Sequence, residues 1–311
     1  MTPNIVFLDA YTICGRDTSA ISRLGNYTAY DFTTAEQVVE RCREAEVVIT
    51  NKVVLDEPIL KQLPRLRLVC IAATGMNNVD LEAAAALGIE VRNAVGYSTY
   101  SVAETTIASA LALLREAVYY DDYFHSGRYS AGRMFCFDRP TAQIRGKHWG
   151  IVGLGNIGRE VARLATAFGS EVRYCSTSGV VRKEEYPALA LDELLGWADI
   201  VSVHCPLNDH TRNLIGSREL ALMRPSAIII NVARGGIINE SALATALNER
   251  TLRGAALDVF SSEPLPADSP LLHLRDRYTL LASPHNAWST VEAIDRLIGC
   301  IADNIASFFG R

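Results

Sequence analysis

Between the apolar run His148–Val152 and the amphipathic segment Ile157–Phe168 stands Gly153-Leu154-Gly155-Asn156-Ile157-Gly158, a junction that very few folds accept. Three glycines at this spacing are a weak signal alone. A strand before them and a helix after them make the pattern a phosphate-binding turn. Gly153 permits the tight turn, Gly155 lets backbone approach a pyrophosphate, and Gly158 allows helix and strand to pack closely. The pyrophosphate charge would then meet N–H groups left open at a helix N-terminus. A dinucleotide-binding α/β unit is therefore expected here, with Asn156 and Ile157 beside the glycines in the binding turn.

The rest of the chain repeats the same rhythm of short β-branched run and amphipathic segment. Asn4–Asp9, Val47–Thr50, Leu68–Ala73 and Ile89–Arg92 read as buried parallel strands. Ala35–Ala45, Asp56–Leu63 and Leu81–Leu87 read as helices between them, with Gly88 placed as a helix-ending glycine. A second series starts at residue 148 and continues through Glu171–Cys175, Ile200–His204, Ala227–Val232, Ala255–Val259 and Thr279–Ala282. Its helix candidates are Leu191–Trp197, Ser217–Met223 and Ser241–Glu249. Two long helices, Ser101–Ala117 and Thr290–Phe309, belong to neither series. The simplest topology inserts the second domain into the first. The expected fold is α/β, with two doubly wound parallel-sheet domains: a Rossmann cofactor domain over 99–287, inserted into a smaller flavodoxin-like substrate domain over 1–98 plus 288–311. A cleft between domains is where a ligand would bind.

A chain of 311 residues is long enough for two cores. Lys and Arg number 30 against 35 Asp and Glu, a net charge of −5 without a clustered basic stripe, which argues against nucleic-acid binding. No apolar stretch is long enough for a membrane span. The first residues lack the features of a secretory signal, so a cytoplasmic protein is expected. Seven dispersed cysteines without a CxxC pair suggest reduced thiols and no metal site.

One strand beyond the glycine turn, an NAD site ordinarily carries Asp or Glu for the ribose hydroxyls. Cys175-Ser176-Thr177-Ser178 stands there instead, with Arg182 and Lys183 soon after. Either NAD or NADP is compatible with Ser176, Thr177 and Ser178.

Hydride transfer to a keto acid needs a cation for the carboxylate and carbonyl, an acid for the developing alkoxide, and a group that holds that acid. Three strand-end segments offer them. Asn231-Val232-Ala233-Arg234-Gly235-Gly236 presents a guanidinium suited to bidentate carboxylate recognition. Asp258-Val259-Phe260-Ser261-Ser262-Glu263-Pro264 offers Glu263 as the partner of an imidazole. Ser283-Pro284-His285-Asn286-Ala287-Trp288 supplies that imidazole. His204, beside Pro206 at another strand end, reads as packing on the cofactor side.

Over essentially its whole length the sequence resembles the D-isomer-specific 2-hydroxyacid dehydrogenase family, most closely its glycerate dehydrogenases or hydroxypyruvate reductases. The resemblance implies that Arg234, Glu263 and His285 are catalytic, with His285 exchanging the proton, and that Asp258 bonds the nicotinamide carboxamide. Pro206, Thr211, Val232, Ala233 and His285 join the cofactor site on the same ground. Ala73-Thr74-Gly75-Met76-Asn77-Asn78-Val79-Asp80 resembles the family's substrate-carboxylate loop, and Thr74, Gly75, Met76, Lys52 and Trp288 are the expected substrate-binding residues. A homodimer through residues 101–147 is implied as well. The implied reaction is hydride transfer between NAD(P)H and a small 2-keto or 2-hydroxy acid, with hydroxypyruvate and glyoxylate as leading substrates. Glu263 stands where formate dehydrogenases have glutamine, and Thr74 where phosphonate dehydrogenases have lysine. A 3-phosphoglycerate dehydrogenase-like enzyme, or a nucleotide-sensing corepressor-like protein on this fold, are the alternatives.

Overall fold

The computed structural model describes residues 2–179 and 183–310. The chain divides into two compact units, Met1–Ser98 with Ser289–Arg311, and Thr99–Trp288.

The first unit holds a five-stranded sheet of β1 (Asn4–Phe7), β2 (Asn26–Ala29), β3 (Val47–Thr50), β4 (Leu68–Ile71) and β5 (Glu90–Asn93). Its order is β2-β1-β3-β4-β5 and every pairing is parallel. Val6, Leu8, Val48, Val69 and Ile71 join one apolar cluster with Val38, Leu60 and Ala84, so the helices after the strands cover one face. The alternate residues Ile5, Phe7, Val47, Ile49, Leu68 and Cys70 are buried too, as a sheet covered on both sides requires. The C-terminal helix Val291–Phe308 belongs to this unit and packs beside β4. Thr290 caps it by accepting from the Ala293 N–H. Its far end is tied to β5 through Arg92 Nη1 donating to the Asn304 carbonyl at 2.8 Å. Gly88 adopts φ +72 just past the Leu81–Ala86 helix, the left-handed conformation that glycine tolerates.

The second unit holds β6 (His148–Val152), β7 (Glu171–Cys175), β8 (Ile200–Val203), β9 (Ile228–Asn231), β10 (Gly254–Leu257) and β11 (Leu280–Ala282), ordered β11-β10-β9-β8-β6-β7 and all parallel. Neighbouring residues of one strand enter opposite cores. Ile200, Ile228 and Ile230 pack with Ile107, Trp149, Val161 and Ala165. Val201, Val203 and Ile229 pack with Leu194, Leu220, Leu243 and Leu247. Period-two alternation across a central sheet is what places helices on both faces. Thr99–Leu114 lies against Asn156–Ala167 on one of them.

Candidate active site

In a parallel sheet all carboxyl ends lie along one edge, and ligands bind outside that edge where strand order reverses. Read along β11-β10-β9-β8-β6-β7, the residues that follow each strand are His285, Glu263, Arg234, His204, the Gly153 turn and Ser176. One half of the edge therefore carries an imidazole, a carboxylate and a guanidinium. The other half carries glycines and hydroxyls.

The His285 Nδ1 lies 2.6 Å from Glu263 Oε2, a short charge-assisted distance. The other Glu263 oxygen, Oε1, accepts the Phe260 N–H at 3.0 Å, so the carboxylate is anchored to the loop that carries it. His285 sits at φ +54, a left-handed conformation uncommon for a residue with a Cβ. Four hydrogen bonds hold it there. The His285 carbonyl accepts the Trp288 indole N–H at 2.9 Å. Asp258 accepts the Ser283 hydroxyl at 2.6 Å and the Asn286 and Ala287 N–H groups at 2.9 and 3.0 Å. Asp258 is 3% exposed, and its carboxylate thus fastens the end of β10 to the turn that bears His285. Side-chain exposures of 24% and 34% leave His285 and Glu263 accessible enough to exchange a proton.

Arg234 follows β9 on a turn clamped by the buried Asn231 side chain. Its Oδ1 accepts the Ala233 N–H at 3.0 Å and its Nδ2 donates to the Arg234 carbonyl at 2.9 Å. One Arg234 donor, Nη1, meets the Ala233 carbonyl at 2.7 Å. A Cβ on Gly235 would collide with the Phe260 carbonyl, so only glycine lets the Arg234 turn close against the loop leading to Glu263. No direct bond joins Arg234 to His285 or Glu263 among the described residues.

On the other half, a cavity of about 210 Å³ is lined by Gly153, Gly155, Ser176, Thr177, Ser178, Glu184, His204 and Pro206, with their neighbours. A Cβ on Gly158 would strike the Gly153 carbonyl, whereas one on Gly155 would meet nothing within 4 Å. Backbone at Gly155 is therefore open to a ligand, and the residue is exposed. Both ring nitrogens of His204 are buried without a hydrogen-bond partner among the described residues, and burial pushes its pKa down to about 3. An unpartnered neutral imidazole and an open glycine turn in one cavity fit a dinucleotide. Thr211 organises the wall by donating to the Pro206 carbonyl at 2.7 Å and accepting the Asn208 N–H at 2.8 Å. Val232 and Ala233 lie at the end of β9, Val232 buried and Ala233 half-buried. Arg182 lies outside the described residues, and Lys183 is exposed.

Lys52, Thr74, Gly75 and Met76 belong to the first unit, on segments following β3 and β4. Buried Asp9, at the end of β1, accepts the N–H groups of Asn51, Lys52 and Val53 at 2.6–3.2 Å and so shapes the Lys52 loop. Burial raises the Asp9 pKa even though those N–H groups pull it down. The Thr74 hydroxyl donates to the Ala94 carbonyl at 3.0 Å, and Asn93 Nδ2 donates to the Thr74 carbonyl at 2.6 Å. Sequence reasoning missed Asp9, the Asn231 clamp and Glu184, which lines the cavity and pairs with Arg159. An acid at the end of a strand was the one available signal, for Asp9.

Residues 107–287 match the family described as D-isomer specific 2-hydroxyacid dehydrogenase, NAD binding domain. The chain is 37% identical over 317 residues to a glycerate dehydrogenase of Methylorubrum extorquens, covering 99% of this chain and 96% of that one. It is 33% identical to a hydroxypyruvate reductase of Blautia hydrogenotrophica, covering 98% of this chain and 96% of that one. Among solved structures, an NADPH-dependent glyoxylate/hydroxypyruvate reductase of Sinorhizobium meliloti, in complex with NADP and malonate, matches with a TM-score of 0.83 at 26% identity. That match covers 99% of this chain and 94% of that one.

Proposed function

Because this chain belongs to the D-isomer specific 2-hydroxyacid dehydrogenase family, we propose that it reduces small 2-keto acids, hydroxypyruvate and glyoxylate foremost, to the corresponding 2-hydroxy acids. The names of its relatives support the substrate class, and the 2.6 Å contact between His285 and Glu263 carries the chemistry.

The nicotinamide of NADH or NADPH, when bound, supplies the hydride to the carbonyl carbon. The protein handles the charge and the proton. With Nδ1 turned to Glu263, His285 keeps Nε2 as the nitrogen that protonates the carbonyl oxygen, and it ends the reduction as a neutral imidazole. Glu263 fixes the ring orientation and balances the imidazolium before transfer. The Arg234 fork grips the substrate carboxylate and polarises the adjacent carbonyl. Asp258 and Trp288 hold the His285 turn. Gly153, Gly155, Asn156, Ile157 and Gly158 receive the pyrophosphate, and His204 and Ser176–Ser178 line the adenosine side. Backbone N–H groups at Thr74–Met76 receive the substrate carboxylate, and Lys52 adds positive charge to that end.

The enzyme acts as a homodimer through residues 101–147. Met134, Phe135 and Phe137 are 77, 69 and 86% exposed in the single chain, an apolar arm that a second copy would cover. Its seven free cysteines suit the reducing cytoplasm.

A panel of 2-keto acids against NADH and NADPH tests the reading, followed by chiral analysis of the product. Hydroxypyruvate and glyoxylate should lead in kcat/KM, and the glycerate formed should be the D isomer. Cofactor binding without turnover on any keto acid would turn the reading toward a nucleotide-sensing binding protein.

A further inference from the structure

Arg234 and the His285–Glu263 pair sit on different loops, and among the described residues no direct bond joins them. Their spacing is therefore set by whatever fastens one loop to the other. Glu263 ends the irregular segment 260–263, in which Ser261 is exposed. Two successive N–H groups of this segment donate to two different carboxylates. The Phe260 N–H donates to Glu263 Oε1 at 3.0 Å, an anchor internal to the loop. The Ser261 N–H donates to Glu240 Oε1 at 2.5 Å, and the Ser261 hydroxyl donates to the same oxygen at 2.7 Å.

Glu240 stands on firm ground. It opens the helix Glu240–Asn248 directly after Asn239, whose side chain caps that helix by accepting the Ala242 N–H at 2.9 Å. Ile237 and Ile238 before it are buried, and the Asn239 N–H donates to the Ile215 carbonyl at 2.9 Å. The stretch that ends in Glu240 begins with Arg234. Near its start, the Gly235 backbone lies so close to the Phe260 carbonyl that a Cβ would collide with it. At its end, Glu240 takes both donors of Ser261. The loop bearing Glu263 is thus clasped at two consecutive residues by the segment bearing Arg234. An acid in a first helical turn often does no more than favour its own helix. Glu240 instead directs its oxygen to another loop, in charge-assisted bonds that are shorter and stronger than neutral ones.

We propose that Glu240 is a positioning residue for proton transfer: through Ser261 it fixes the loop that carries Glu263, and so sets His285 at its working distance from the Arg234 turn. This rests on the dehydrogenase reading above. Without Glu240 the loop drifts, Arg234 still grips the keto acid, and the His285 proton arrives off line. Such misplacement costs rate rather than binding.

The test is hydroxypyruvate reduction by the unaltered protein, Glu240→Ala and Glu240→Gln, with the Kd of the same reduced nicotinamide nucleotide measured alongside. A glutamine amide oxygen still accepts both Ser261 donors but lacks the charge, whereas alanine accepts neither. Glu240→Ala should lower kcat by at least about tenfold, with the hydroxypyruvate KM and the nucleotide Kd each within about twofold. Glu240→Gln should keep kcat within about threefold, although both variants lose the same helix-end charge. Ser261→Ala removes one of the two donors at an exposed position, and should lower kcat by about threefold without disturbing the helix. Unchanged kcat in Glu240→Ala, or equal losses in the alanine and glutamine variants, overturns the positioning role and leaves the dehydrogenase reading intact. A loss of nucleotide affinity in Glu240→Ala as large as its loss of kcat would mean general damage, and overturns the role too. No turnover by the unaltered protein overturns both.

Discussion

His285 shows how much one residue of the proposed catalytic site can demand of its surroundings. Its left-handed backbone is held by Asp258 and by the Trp288 indole, and its ring is turned by Glu263. Glu263→Gln keeps a hydrogen-bonding group but removes the charge that balances an imidazolium, and kcat should fall at least about tenfold. Arg234→Ala should raise KM for the keto acid and lower kcat by about 10²–10³-fold, the usual cost of one oxyanion-stabilising donor. Arg234→Lys should recover little, because an ammonium cannot make the paired contact. Unchanged KM and kcat in Arg234→Ala would assign the side chain to structure alone. His204 gives a prediction with a sign. Its pKa falls from an ordinary 6.5 to about 3 on burial, so below about pH 6.5 the unfolded chain takes up a proton that the folded protein refuses. Stability should therefore decline as pH drops from 6.5 toward 3, by up to ~1.4 kcal/mol per pH unit from this group, with no effect above 6.5. In the cofactor-free protein the fall of Tm between pH 7 and 4 should be shallower in His204→Leu. Equal slopes would remove the account of its burial.

At the scale of elements, β-strands announce themselves where burial makes them apolar. β3, β7 and the Leu191–Trp197 helix have the limits that their apolar patterns predict. β2 does not announce itself: Asn26-Tyr27-Thr28-Ala29 is an edge strand, largely exposed and held by backbone pairing with β1, so it presents no apolar run. Helix limits move by a few residues for the ordinary reason that ends are capped or frayed, as where Thr99–Leu114 takes the place of an expected Ser101–Ala117. Arg234, Glu263 and His285 are legible because glycines or prolines punctuate the strand ends that carry them. The supports are not. Asp9 meets the Lys52 N–H across 43 residues, and Arg159 meets Glu184 across 25. Such pairs depend on which strand neighbours which, and no local pattern encodes that. Gly235→Ala tests one of these contacts. A Cβ there must push the Arg234 turn away from the Phe260 carbonyl, so turnover should fall by about tenfold or more while the NADPH Kd changes little, as small misplacement of a positioned group predicts. A variant with unimpaired turnover would show that the two loops need not touch.

Over the whole molecule, two doubly wound sheets from one chain leave the segment after Thr99–Leu114 as the conspicuous surface feature. Met134, Phe135 and Phe137 lie there together, and no burial within the single chain accounts for them. Sedimentation should find a dimer, and replacing Phe135 and Phe137 together with Ser should shift it toward monomer. A monomer in the unaltered protein would refute that interface. The family assignment rests on the whole chain, whereas the chemistry rests on one contact at one sheet edge. The decisive comparison is therefore the unaltered enzyme against His285→Ala, with hydroxypyruvate turnover and NADPH affinity measured side by side. The account predicts a loss of about 10²–10⁴-fold in kcat with cofactor Kd essentially unchanged, the range for removal of a general acid. Turnover close to that of the unaltered enzyme would contradict it.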